Sequence, residues 1–554
     1  MKTSLIINFR RIGDIISNSH LISELKEEGH KVSILIYKEF EAAAQVLEGV
    51  DNIFTIDRKK IETYVKSELF HDAMALDTLY RELSPCLEKT WDQVINISND
   101  TLGTRVASFI GERNRVTPKG LSFKSNQLMM HSSPWSVVYN DIIPKEINSP
   151  VHFQDIYHQI ALNRIYTPSL APKLKISQRY EQQTIESFKN IRENYGKTEI
   201  GRIVGIQAKT SNEEKDIPFS TIVETIELIK QEKPDWIPLI ILAPNDKERE
   251  LANRLNLKFN NSLVSVEANL TALPSVVKNL DTLITPDTAI KHFADVFNVP
   301  TLEISLGKSP LFKQASIGLK SAILTQRIDH RQERPGKDRH LLEARDIVNA
   351  VNYIMTNSNI PTLSKGKTLY RLIHDSFGMR YVAVAGDISV EKEVYRVLSR
   401  DYIARLLGNP SGVAESFIGF KELYGEELRN YLEKEKTEIT QSMKSLLATL
   451  RSIAKAKEPG ASSRSLIGHL DHLFELSEES NLSAICLKFF RVRIENLEPN
   501  TSKTENLKCF EDELFNLKDD MQVLLKVIHD FEKHCTQKES NFDVRLRNKQ
   551  NTTV

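Results

Sequence analysis

The stretch Leu5-Ile6-Ile7-Asn8-Phe9-Arg10-Arg11-Ile12-Gly13-Asp14 decides how this chain is read. Its short apolar, β-branched run predicts a buried strand, and Gly13 permits a tight turn and a close approach by a ligand or a neighbouring backbone. From Asp14 to Gly29 the residues Ile15, Ile16, Leu21, Ile22 and Leu25 share one face of a helix, and Gly29 supplies its stop. The unit is strand, turn and helix with a carboxylate at the junction. Asp14 then has two readings: a cap on the helix, or a carboxylate facing a cleft at the carboxyl end of the strand.

The same alternation continues outward. Short runs at 32–36, 53–56 and 94–97, separated by helical patterns, predict a βαβ series and a parallel, doubly wound sheet. A first Rossmann-like domain is expected over residues 1–165. Beyond a polar stretch at 177–197, further runs at 203–206, 239–242, 263–266, 282–285 and 301–304 predict a second such domain over 175–360. From 365 to 554 the pattern turns helical with few strand candidates. Leu507, Phe510, Leu514, Leu517, Met521, Leu524, Ile528 and Phe531 form a lengthwise seam, and Ile439, Met443, Leu446, Leu450 and Ile453 repeat it. With breaks at Pro459-Gly460 and Pro499-Asn500, this predicts an antiparallel all-α bundle whose stripes are core packing.

The bulk numbers set limits. The 554 residues suggest about three domains. The 74 basic and 74 acidic side chains balance, so nothing argues for nucleic acid as a partner, and any charged ligand must be bound locally. Cys86, Cys486, Cys509 and Cys535 are scattered, which argues against a disulfide framework or a structural metal and fits a reducing cytoplasm. Residues 1–9 carry no signal-peptide cleavage pattern, and no run of about 18 apolar residues could span a bilayer. Matches such as Asn269-Leu270-Thr271 are then chance sequons. His330 and His340 lie in a charged, proline-containing stretch that reads as a solvated loop.

Two more segments stand at predicted strand-to-helix junctions: Thr210-Ser211-Asn212-Glu213-Glu214-Lys215, with Pro218 beyond, and Pro286-Asp287-Thr288-Ala289-Ile290-Lys291-His292. Hydroxyls and an ammonium on a strand-end loop suit phosphate oxygens, and a helix N-terminus is a ready anion site. Read with Gly13-Asp14, the three motifs in this order resemble glycosyltransferase family 9, the bacterial lipopolysaccharide heptosyltransferases, over about residues 1–355. The resemblance implies the GT-B architecture: an α/β fold of two tandem Rossmann-like domains facing a cleft, with the helical bundle appended. It makes Asp14 the catalytic carboxylate that deprotonates the acceptor hydroxyl. It also places Gly13, Thr210, Ser211, Lys215, Asp287, Thr288, Ala289 and His292 around the donor and its diphosphate.

There are departures. Ala289 replaces the family's Gly and is expected to lose access to positive φ and to crowd a phosphate. Arg10 and Arg11 follow the first strand where many members carry Lys, so they are the candidate acceptor contacts. Asp246 is the candidate for the ribose.

The expected function is an inverting, metal-independent glycosyltransferase. Its donor is a nucleotide sugar, ADP-heptose first, and its acceptor a bacterial surface glycolipid or glycan such as lipopolysaccharide core. It would work in the cytoplasm, peripherally at the inner membrane, with no cofactor beyond the donor substrate. The helical region would govern acceptor choice, localisation, oligomerisation or a protein partner. A different nucleotide sugar, a protein acceptor, a nucleotide-sugar epimerase and a catalytically silent scaffold are the alternatives left open.

Overall fold

The computed structural model describes residues 1–67, 72–124, 129–144, 148–166, 172–195, 201–307, 309–326, 342–356, 359–408, 417, 420, 423–458, 460, 462–498 and 500–536. His330, His340, Pro459 and Pro499 lie outside them. The chain divides into two compact units: the first holds Met1–Ser122, His152–Ile373 and Met379–Ile388, and the second Phe123–Val151, His374–Gly378 and Ser389–Val554.

The first unit is built on two sheets. In one, β1 (Thr3–Ile7), β2 (Lys31–Tyr37), β3 (Val50–Ile56), β4 (Gln93–Asn96) and β5 (Lys119–Phe123) stand in the order β3-β2-β1-β4-β5, all parallel. The chain order reverses between β1 and β4. That is where a doubly wound sheet opens a crevice beyond its strand ends, and β1 delivers the Asp14 turn there. A further short strand, β6 (Met129–His131), falls among the residues of the second unit.

The other sheet contains β7 (Arg202–Ile206), β8 (Trp236–Leu242), β9 (Val264–Glu267), β10 (Thr282–Pro286), β11 (Thr301–Ser305), β12 (Ala322–Gln326), β13 (Lys367–Asp375) and β14 (Gly378–Gly386). Their order is β14-β13-β12-β11-β10-β7-β8-β9, and its reversal lies between β7 and β10. The second and third motifs follow those two strands. β8 is buried along its whole length, as expected of a strand covered on both faces.

The α/β alternation is therefore as read from the sequence, but the boundaries are not. Both Rossmann-like sheets belong to one compact unit. Residues 123–151, expected in the first domain, belong to the second unit. The helical region does not begin at 365: β13 pairs antiparallel with β12, Lys367 opposite Gln326 through Arg371 opposite Ala322. Leu369, Tyr370, Leu372, Met379 and Tyr381 are buried in this sheet's core.

The second unit carries the helices Val390–Leu406, Glu426–Ala456, Arg464–Leu476, Leu482–Glu495 and Lys503–Thr536. In the last, Leu514, Leu517, Met521, Leu524, Ile528 and Phe531 of the expected seam are fully buried, as a helix packed along its length requires. Arg400 closes a bidentate pair on Asp375 at 2.7 and 2.8 Å. Among the described residues no helix is long and apolar enough to cross a membrane.

Candidate active site

The turn after β1 is tied by its own side chains. Asn8 Oδ1 accepts the Arg10 N–H at 3.0 Å, and Asn8 Nδ2 donates to the Asp14 carbonyl at 3.3 Å. Asp14 is the third residue of the helix Ile12–Ser17 and is 6% exposed. Its Oδ2 accepts the Arg11 N–H at 3.3 Å, so part of the capping reading is real. Its Oδ1 meets Arg10 Nε at 3.1 Å and the amide of Gln314. Arg10 also donates to Asn99 Oδ1 at 3.0 Å and lies over the Phe153 ring. Arg10, expected on the acceptor, instead holds Asp14. Arg11 is exposed.

Gly13 sits at a close approach. A Cβ there would sit 3.0 Å from His292 Cδ2 and 3.5 Å from Ala289 Cα, so the first and third motifs abut. The helix of the third motif, Ile290–Phe297, begins after Ala289, whose φ of −59° is ordinary helical backbone. The expected loss of positive φ at Ala289 therefore has no consequence here. Nor does Asp287 cap this helix. Its Oδ1 accepts from Lys291 Nζ at 2.7 Å and its Oδ2 from Lys215 Nζ at 3.0 Å. Burial pushes this carboxyl up, but the two ammonium groups outweigh it and hold it well below the usual carboxylate range. Lys291 donates onward to Glu303 Oε1 at 2.8 Å, and Glu303 Oε2 accepts the Ser316 N–H at 2.9 Å. His292 Nδ1 lies 3.5 Å from Asp295 Oδ2, while Asp295 Oδ1 takes the Ile317 and Gly318 N–H groups.

A cavity of about 640 Å³ opens where β7, β8, β9 and β10 end. Thr210, Ser211, Thr288 and Ala289 line it, whereas Gly13, Lys215, Asp287 and His292 are not among its lining residues, and Ile12 of the first motif forms part of its wall. Its floor is apolar, with Ile241, Leu242, Ala243, Pro244, Leu270 and Leu273; Gln207, Lys209, Asn245, Glu248, Asn269 and Thr271 add polar groups. This mix suits a ligand with a flat apolar part and a polar tail. The Thr288 hydroxyl is set by Gln207 Oε1 at 3.0 Å. Thr210 accepts the Asn212 N–H at 3.0 Å, and Asp216 takes the Thr210 N–H at 2.7 Å and pairs with Lys209 at 3.0 Å.

Asp246 does not face the cavity. Asn245 caps the helix Asp246–Lys258, which turns its first residue outward, fully exposed and 3.2 Å from Arg249. The acidic residue that lines the cavity is Glu248, which accepts the Ala243 N–H at 2.8 Å and whose carboxyl burial pushes up. The Asn245-x-x-Glu248 spacing of a capping box was the signal that could have found it. Gln207, Lys209, Lys291, Glu303 and Gln314 were likewise not singled out from the sequence.

Among solved structures, the chain is similar to a glycosyl transferase family 9 protein from Veillonella parvula DSM 2008. They share 14% identity over 64% of this chain and 98% of the other, at a TM-score of 0.49. It is also similar to the E. coli heptosyltransferase WaaC with ADP, at 12% identity over 64% and 99% with a TM-score of 0.45. The UDP-GlcNAc 2-epimerase from Neisseria meningitidis bound to UDP-GlcNAc follows at 15% identity over 55% and 82%, with a TM-score of 0.32. No curated protein sequence matches. The model of glycosyltransferase family 9 (heptosyltransferase) matches residues 88–334, a span that includes the second and third motifs and begins after the Asp14 turn. Residues 88–334 are thus a glycosyltransferase family 9 domain, and the chain that carries them is a glycosyltransferase.

Proposed function

We propose that this chain transfers heptose from ADP-heptose, with inversion and without a metal, to a bacterial surface glycolipid or glycan such as lipopolysaccharide core, at the cytoplasmic face of the inner membrane. One observation carries the reading: the Asp14 turn abuts the first turn of Ile290–Phe297, beside a nucleotide-sized cavity. That juxtaposition sets a carboxylate beside the site for a leaving diphosphate.

In the proposed reaction the acceptor hydroxyl displaces the Gln314 amide from Asp14 Oδ1 and gives its proton to that oxygen. The acceptor oxygen bonds to the anomeric carbon as the bond from that carbon to the diphosphate breaks on the opposite face. The departing oxygens gain negative charge. Lys215, the Thr210, Ser211 and Thr288 hydroxyls and the amides opening Ile290–Phe297 compensate it. The base of the nucleoside rests on the apolar floor, and Glu248 takes the ribose role expected of Asp246. Arg10 keeps Asp14 oriented, and Arg11 is left to meet the acceptor.

The test is a thermal-shift screen of ADP-, UDP- and GDP-sugars, followed by product analysis with the best donor and a heptose-deficient core acceptor. ADP-heptose should stabilise the protein most, by about 2.7 kcal/mol at a hundredfold excess over Kd, and heptose should appear on the acceptor. Isomerised donor without transfer would mark an epimerase. No donor binding at all would leave a scaffold.

A further inference from the structure

We propose that Lys291 is a positioning residue for the donor's diphosphate: by sharing the Asp287 carboxylate, it leaves Lys215 able to exchange that carboxylate for a phosphate oxygen. The inference rests on the reading of Lys215 as a diphosphate contact.

Two ammonium and two carboxylate groups form one chain of contacts, Lys215 to Asp287 to Lys291 to Glu303, with distances of 3.0, 2.7 and 2.8 Å. The inner pair is sealed: Lys291 and Glu303 side chains are each 1% exposed, and Glu303 is fixed further by the Ser316 N–H. The outer pair is more open, with Lys215 and Asp287 each 16% exposed. Lys215 comes from the loop after β7, whereas Lys291 lies in the first turn of the helix Ile290–Phe297, four residues after Asp287. Only Lys215 can leave without moving that helix.

The cost of its leaving is set by what stays behind. Were Lys215 the sole partner of Asp287, its departure would strand a largely buried carboxylate, which is strongly unfavourable. With Lys291 in place, Asp287 keeps a direct counter-ion and the penalty is much reduced. Glu303 has the opposite influence: it draws Lys291 away from Asp287 and so strengthens the hold of Asp287 on Lys215. The four groups therefore set how readily the diphosphate captures the lysine. A buried pair is weak evidence of stability by itself.

The test is calorimetry of ADP, UDP and GDP, each against its own nucleoside, on the full chain carrying Lys215→Ala, Lys291→Met with Glu303→Gln, or Glu303→Gln alone. The quantity read is the preference for diphosphate over nucleoside, for whichever nucleotide binds the wild type best. Lys215→Ala should lower it by about tenfold or more. The double variant leaves no unpaired charge at 303 and keeps the net charge of the site. It should still lower the preference by about tenfold with nucleoside affinity unchanged. Glu303→Gln alone should raise it, and a preference that does not rise overturns the proposal if the double variant does not fold. The proposal is overturned if the double variant or Glu303→Gln keeps the wild-type preference while Lys215→Ala loses it. If wild type shows no diphosphate preference, or Lys215→Ala leaves it intact, the reading of Lys215 falls and takes the proposal with it.

Discussion

Asp14 and Asp287 occupy the same topological place, each where a central strand hands over to a helix, and they are held in different ways. Asp14 is bound by one guanidinium, a backbone N–H and the neutral amide of Gln314. Asp287 is bound by two ammonium groups, one of them sealed in the interior. A carboxylate kept far below its ordinary range by two cations retains its charge but is a poor acceptor for a proton. It is suited to holding lysines. A carboxylate whose Oδ1 is shared by one guanidinium and an exchangeable amide can receive a hydroxyl in place of the amide. Position at the strand end supplies access to the cleft, and the partners of each carboxylate separate the two roles.

The largest expected effect falls on the sheet behind Asp287. A chain ended after residue 362 loses β13 and β14, and with them the Tyr381 hydroxyl that donates to the Ser316 carbonyl at 2.9 Å. Such a chain should show no cooperative unfolding transition by calorimetry. A cooperative transition would mean that the second turn stands without its edge strands.

Asp287→Asn should come next, costing about 3 to 5 kcal/mol in denaturant unfolding at neutral pH because two cations lose their shared partner. The pH dependence follows from the lowered carboxyl. Its stabilising contribution is present above the unfolded value near 4 and is lost as pH falls below it. The gap between wild type and variant should therefore close in acid. A gap that widened in acid would mean that the two ammonium groups do not hold this carboxyl down.

Gly13→Ala should have the smallest effect, about 1 to 3 kcal/mol, since the new methyl needs His292 to yield by only a few tenths of an ångström. No change in stability would mean that the two turns are not pressed together.

The comparison also shows where sequence reading succeeds. The first sheet was legible because Leu5, Ile6 and Ile7, and the runs at 32–36 and 94–97, are apolar over strand length and separated by helical periodicity. The seam from Leu507 to Phe531 was legible because one helix carries all of it. The hairpin of β13 and β14 escaped notice because Arg371, His374 and Arg380 interrupt an otherwise apolar pattern. Arg371 is nonetheless buried, its guanidinium bonded to the Leu319 carbonyl at 3.1 Å.

At the cavity, Thr210, Ser211 and Thr288 could be singled out because the family resemblance rests on short segments that contain them. Lys291 could not be interpreted, because its meaning comes from Glu303, which lies on the next strand. Gln314 was hidden for the same reason: its partner Asp14 is 300 residues away. Asp246 was misread because one step along a helix start turns a side chain from cleft to solvent.

The most direct test of the division between the two turns is Asp14→Asn, measured both for transfer rate at saturating donor and for donor affinity by calorimetry. The account predicts a rate lower by about a hundredfold or more, the loss of a general base, with donor affinity unchanged. A rate within about threefold of wild type, or a loss of donor affinity equal to the loss of rate, would contradict it.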